Sequence, residues 1–158
     1  MKKFLFLSFL ILPLFISSCK SSKKSTASSP KSTKTKYGVQ FTKSPTLTKI
    51  LSKAEAENKL VFVDFYTSWC LPCKMMDEDV FPDREIGKFM NKNFISYKVN
   101  GEKDNGINLA FLFQVNTYPT LLFIDQKGNV LEKKIGAAYH TELRSMGERA
   151  MAKHNQQL

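Results

Sequence analysis

Between Leu60 and Cys73 the chain reads Leu-Val-Phe-Val-Asp-Phe-Tyr-Thr-Ser-Trp-Cys-Leu-Pro-Cys, and no other stretch restricts the fold as tightly. Leu60 to Tyr66 is a nearly continuous apolar run, which fits a strand buried on both faces. Trp69 to Val80 then reads as a loop entering a helix. Cysteines spaced i and i+3 at a helix start lie on one side of it, close enough to form a bridge or to open one. Cys70 falls at the helix N-terminus, where unpaired N–H groups and the macrodipole favour a thiolate. Pro72 is tolerated there because the first turn has no carbonyl partner for its N–H. A bridge closing so short a loop staples little chain, so the pair reads as chemical rather than structural. Asp64 interrupts the apolar run, which places a charge where desolvation raises a carboxyl pKa.

The remaining pattern alternates helix and strand. Thr46 is expected to open a helix running to Glu57, with Leu47, Ile50, Leu51 and Ala54 at helical spacing. Phe81-Pro82 should stop the helix that follows the cysteines, and Asp83 should cap a second one carrying Ile86, Phe89 and Met90. A strand is predicted over Phe94 to Val99, a short helix over Asn108 to Phe113, and a strand over Thr120 to Ile124, introduced by Pro119. Asp125-Gln126-Lys127-Gly128-Asn129 has turn chemistry and leads to a strand from Val130 to Ile135, which Gly136 ends. Thr141 to Lys153 is predicted as the final helix. That order predicts an α/β fold, a central mixed sheet flanked by helices on both faces.

The N-terminal stretch has a different character. Met1-Lys2-Lys3 is positive and Phe4 to Ile16 is almost wholly apolar, broken by Ser8 and Pro13. That run is shorter than the ~20 apolar residues of a membrane span, but it suits the central region of a secretory signal. Ile16-Ser17-Ser18-Cys19 resembles the lipobox of bacterial lipoproteins, which implies cleavage before Cys19 and a lipid on its sulfur. Lys20 after it provides no inner-membrane retention signal of the Asp type. Residues 20–36 are Lys, Ser and Thr with one Ala and one Pro, so they have nothing to bury and are expected to be disordered. Such a tether would span about 20–25 Å on average.

The formal charge of +10 is concentrated in that stretch. From Tyr37 onward there are 16 basic and 14 acidic residues, a net of +2. A basic segment beside a lipid anchor reads as a linker near a membrane surface, whereas nucleic-acid recognition needs its basic patch on the domain itself. No nucleic-acid partner is expected. Zinc needs two ligands beyond the cysteine pair, and His140 and His154, far along the chain, are the histidines on offer. No metal is expected either.

The segment Val-Asp-Phe-Tyr-Thr-Ser-Trp-Cys-Leu-Pro-Cys-Lys, with Tyr118-Pro119-Thr120 later in the chain, resembles the active-site segment and proline loop of the thioredoxin-like superfamily. The resemblance covers roughly Leu60 to Gly136. It implies a thioredoxin-like fold, with Cys70 as the exposed nucleophile and Cys73 as the buried thiol that resolves the mixed disulfide. It also implies that Asp64 helps move the proton of Cys73, that Lys98 lies near that acid, and that Tyr118–Pro119 is a cis bond facing the cysteines. Backbone beside Tyr118 and Pro119 would then pair with an extended substrate chain, and Trp69 would shield the site. Two departures stand out. The dipeptide between the cysteines is Leu-Pro rather than Gly-Pro, and Glu78 stands where the usual kink proline would be. The layout up to Phe81-Pro82-Asp83 looks more like the periplasmic thioredoxin domain of thiol–disulfide interchange proteins.

The expected organisation is therefore a signal peptide over residues 1–18, a lipidated Cys19 with its linker to residue 36, and a thioredoxin-like domain over residues 37–158. The expected function is envelope thiol–disulfide exchange with no cofactor, reducing protein disulfides or relaying electrons from a membrane donor. The protein would be a lipid-anchored monomer, on the periplasmic side of the outer membrane. A disulfide oxidase or isomerase is the alternative enzyme. A non-catalytic client-binding module, with a permanent bridge and a groove at Trp69 and Tyr118, is the alternative outside enzymes.

Overall fold

The computed structural model describes residues 37–157; the expected signal peptide, Cys19 and the linker lie outside the described residues. Its sheet is built outward from β1 (Leu60–Tyr66), where every residue but the last is buried. β2 (Phe94–Asn100) runs parallel to β1 on one side, and β3 (Thr120–Ile124) runs antiparallel on the other. β4 (Val130–Ile135) then pairs antiparallel with β3, giving the order β2-β1-β3-β4. This is the mixed sheet expected from the alternation of elements.

Helices cover both faces, because successive strand residues point to opposite sides. Leu60, Phe62, Leu121 and Phe123 face one layer, formed by a turn carrying Met76 and Val80, by α3 (Arg84–Asn93) and by α5 (His140–Gln156). Val61, Val63, Phe65, Leu122 and Ile124 face the other, formed by α1 (Leu47–Ala56) and α4 (Asn105–Leu112). Phe62 and Phe123 are fully buried with ring centroids 5.0 Å apart. Burying each contributes about 1.5–3 kcal/mol, and Phe62→Ala should cost roughly 3–5 kcal/mol through the cavity it leaves.

Start signals sit where the sequence places them. The Thr46 hydroxyl accepts from the Lys49 N–H at 3.4 Å, and Asp83 Oδ1 accepts from the Ile86 N–H at 2.8 Å. The segment after the cysteines departs from a plain helix. α2 (Leu71–Met75) passes into a π-helical turn, Met76–Val80, closed by the Phe81 N–H donating to the Met76 carbonyl at 2.9 Å. Pro82 cannot extend it, and Asp83 starts α3. A wide π turn thus takes the place of the proline kink that the sequence lacks.

α4 begins at Asn105, three residues before the expected Asn108. Its first turn contains Gly106, a poor helix former. A side chain there would collide with the Asn100 carbonyl, so tertiary packing demands a glycine that propensity alone counts against the helix.

Candidate active site

Cys70 is the N-cap of α2 and is bonded to Cys73 across a Cα–Cα distance of 5.3 Å. The Cys73 N–H donates to Cys70 Sγ at 3.2 Å, so the first sulfur faces the start of the helix. Pro72 lies in that first turn, where no N–H is needed. Cys70 was expected to be exposed, and it is not: both cysteines are 2% exposed. The bridge and the helix N–H turn its sulfur inward, while the flanking Trp69 and Leu71 are 65% and 67% exposed.

Asp64 is buried in the sheet, on the face shared with Leu60 and Phe62. That is the side covered by the π turn, which follows directly from Cys73. Its register partner on β2 is Lys98, whose Nζ lies 3.4 Å from Asp64 Oδ2. Lys98 also pairs with Asp77 of the π turn. The ammonium lies over the rings of Tyr66, Phe81 and Phe41 at 4.8, 5.3 and 5.5 Å from their centroids, and favourable cation–π geometry holds it in place. Burial pushes the Asp64 carboxyl up to about 6, an effect that Lys98 partly offsets and the Asp77 charge reinforces. Among the described residues Asp64 Oδ1 has no hydrogen-bond donor. The expectation of a raised acid in an apolar strand therefore matches the geometry.

The third part is an aromatic shelf. The Trp69 indole packs edge-on against Tyr118 with centroids 6.2 Å apart. Tyr118–Pro119 is cis. Gly101 presses against the Tyr118 ring so closely that any side chain there would overlap it. Trp69 Nε1–H donates to both carboxylate oxygens of Glu102, at 3.0 and 3.2 Å. Burial and then the Glu102 charge hold the Tyr118 hydroxyl above its ordinary pKa.

Cys70 and Cys73, Asp64 and Lys98, and Trp69 and Tyr118 are thus each brought into contact, with Pro72 and Pro119 in the backbone that carries them. Sequence reasoning missed Asp77 and Glu102. Asp77 is one of three consecutive acids, and nothing in the sequence separates it from Glu78 and Asp79. Glu102 meets Trp69 across 33 positions of chain, a contact with no local signature. His140 touches the Asp79 carbonyl at 3.0 Å and His154 lies in the last turn of α5; among the described residues no three metal-type ligands cluster.

Chemically, the arrangement joins a disulfide at a helix start, a buried acid whose carboxyl is raised to about 6, and an aromatic surface whose Trp69 directly precedes Cys70. The model of the thioredoxin-like domain family matches residues 47–150. Thioredoxin H4 of Arabidopsis thaliana is 38% identical over 87 residues, covering 55% of this chain and 68% of that protein. The thiol:disulfide interchange protein DsbD of Pseudoalteromonas atlantica is 32% identical over 80 residues, covering 49% of this chain and 13% of that protein. The chain also spans only 48% of the length of the Drosophila melanogaster thioredoxin-T that it matches. Among solved structures, a proposed disulphide-isomerase from Bacteroides thetaiotaomicron superposes with a TM-score of 0.65 at 36% identity, over 72% of this chain and 93% of that one. Among the described residues no helix is long and apolar enough to cross a membrane. With its CxxC pair closed as a disulfide, this chain belongs to the thioredoxin-like domain family of thiol–disulfide oxidoreductases.

Proposed function

We propose that the protein is a cell-envelope thiol–disulfide oxidoreductase that reduces, or relays electrons to, protein disulfides. The observation that carries this reading is the Cys70–Cys73 bridge at a helix start, on the side of the sheet where Asp64 is buried with its carboxyl near pH 6. In the reduced protein the Cys70 thiolate attacks a client disulfide, one client sulfur leaves as a thiolate, and a mixed disulfide forms. Cys73 passes its proton to the Asp64 carboxylate and attacks Cys70 Sγ. That closes the bridge and frees the second client thiol. Two electrons and two protons reach the client, and a dithiol donor in the membrane restores them. No cofactor takes part.

In this scheme Lys98 keeps Asp64 from becoming too weak an acid, and Pro72 shapes the first turn. Trp69, Tyr118 and Pro119 meet the client chain. The organisation read from the sequence completes the proposal: a signal over residues 1–18, lipid on Cys19, a tether to residue 36 and a domain from Tyr37. The protein would act as a monomer facing the periplasm from the outer membrane. The similarity to the interchange protein supports the envelope setting. An isomerase is the second reading, favoured by the name of the Bacteroides thetaiotaomicron relative.

The equilibrium reduction potential of the purified full-length protein separates them. A value near or below about −230 mV supports a reductase, and one of roughly −120 to −180 mV supports an isomerase or oxidase. Cys73→Ser should accumulate client proteins as mixed disulfides on Cys70. A bridge that exchanges with no redox buffer would leave a binding module.

A further inference from the structure

We propose that Glu102 determines client specificity: its carboxylate and the exposed face of Trp69 form a subsite for a cationic side chain flanking the client's disulfide. This rests on the exchange reaction proposed above. Both carboxylate oxygens are held by the Trp69 indole, at 3.0 and 3.2 Å, and the Glu102 N–H is held by Asn100 Oδ1 at 3.0 Å. The carboxylate is thereby hydrogen-bonded to the edge of the indole. Trp69 precedes Cys70, and its ring meets Tyr118, the residue before Pro119. The aromatic surface thus adjoins Cys70, and Glu102 stands at its edge.

Residues 67–72, 115–119 and 136–139 contain no Lys, Arg, Asp or Glu. Lys74 and Lys103 lie nearby in sequence, but both are exposed on long stems that can swing aside. A client Lys or Arg laid over the open indole gains a cation–π contact and meets the Glu102 carboxylate. A client Asp or Glu at the same point meets like charge. The same indole N–H that bonds to Glu102 thus couples the charge to the shelf.

The test uses reduced full-length protein and three disulfide-linked peptides, identical except that the residue beside the cysteine is Lys, Ala or Glu. The readout is the ratio of second-order rate constants for a single round of exchange, at low and high salt. The wild-type protein should favour the Lys peptide over the Glu peptide by roughly two- to five-fold, the scale of one exposed ion pair. The ratio should contract at high salt. Glu102→Gln keeps an acceptor for the indole but no charge, and its ratio should fall to about one, whereas Glu102→Asp should restore most of the preference. A wild-type ratio of one, or a Glu102→Gln ratio equal to the wild type, overturns the inference while leaving the exchange reaction intact. Exchange with none of the peptides overturns both.

Discussion

Asp64 and Asp125 are two buried aspartates near opposite ends of the same antiparallel strand pair, and their carboxyls are pushed in opposite directions. Burial raises both. At Asp125, just beyond β3, it is overcome by hydrogen bonds: Oδ1 accepts from the Lys127 and Asn129 N–H groups at 2.8 Å each, and Oδ2 from Asn129 Nδ2 at 2.7 Å. The net result is a carboxyl below its ordinary value. At Asp64, one oxygen has the Lys98 ammonium at 3.4 Å and the other has no donor among the described residues. Saturation with donors makes a carboxylate a structural fixture. Leaving it half-satisfied keeps it able to take a proton. The sites differ both in the number of N–H groups they offer and in burial, Asp64 being the deeper of the two.

The largest effect that follows is kinetic. Asp64→Asn should slow disulfide exchange at pH 7 on the order of 10²-fold, the usual contribution of a positioned acid–base group. The wild-type rate should rise with pH through about 6, and that limb should vanish in the variant. A limb that persists in Asp64→Asn would assign the titration to another group.

Asp125→Ala should be the larger structural lesion. It frees two backbone N–H groups of the turn, and about 2 kcal/mol of stability should be lost in denaturant titrations near pH 7. Exchange kinetics should be unchanged. A carboxyl depressed by folding contributes stability above its unfolded value, so the loss should fade as pH falls into the acid range.

Asp64→Asn should do the reverse to stability. A carboxyl raised by folding favours the native state only when protonated, and that contribution disappears as pH rises through about 6. The oxidised variant should therefore be more stable than the wild type at pH 7.5, by about 1–2 kcal/mol. The gain should shrink toward pH 4. A gain of equal size at both pH values would mean that packing, not charge, separates the two.

The smallest shift concerns Lys98. Replacing it with Met removes the cation that offsets burial at Asp64. The rate midpoint should move upward by about one pH unit, with the now unpaired Asp77 charge adding to the shift. A downward shift would break the comparison, since it would mean that Lys98 raises rather than restrains the Asp64 carboxyl.

Much of this was legible in the chain. Asp64 stands out because it is a charge within Leu-Val-Phe-Val-Asp-Phe-Tyr, and Asp125 because it opens a Gly- and Asn-containing turn. All four strands fall where apolar runs and turn residues place them, with β2 extending one residue beyond its expected end. What the sequence hid depends on contacts between distant segments. The π turn relies on Met76 and Val80 fitting beneath the sheet, and the period of the sequence does not distinguish it from a helix. Gly106 looks like a helix breaker until the Asn100 carbonyl is known to be against it. Asp77, Glu102 and the inward turn of the Cys70 sulfur are likewise products of tertiary placement.

The pairing of Asp64 with Lys98 across β1 and β2 reaches beyond the redox step. Each partner needs the other on the same face of the sheet. A slip of one position would bring Asp64 level with Tyr97 or Val99, whose side chains point the other way, and would leave a buried carboxylate without its cation. Apolar strands as uniform as β1 specify their alignment weakly, since one aliphatic neighbour serves nearly as well as the next. The ion pair is therefore compatible with one alignment of β2 on β1, and a wrongly docked β2 would leave Asp64 buried without its cation.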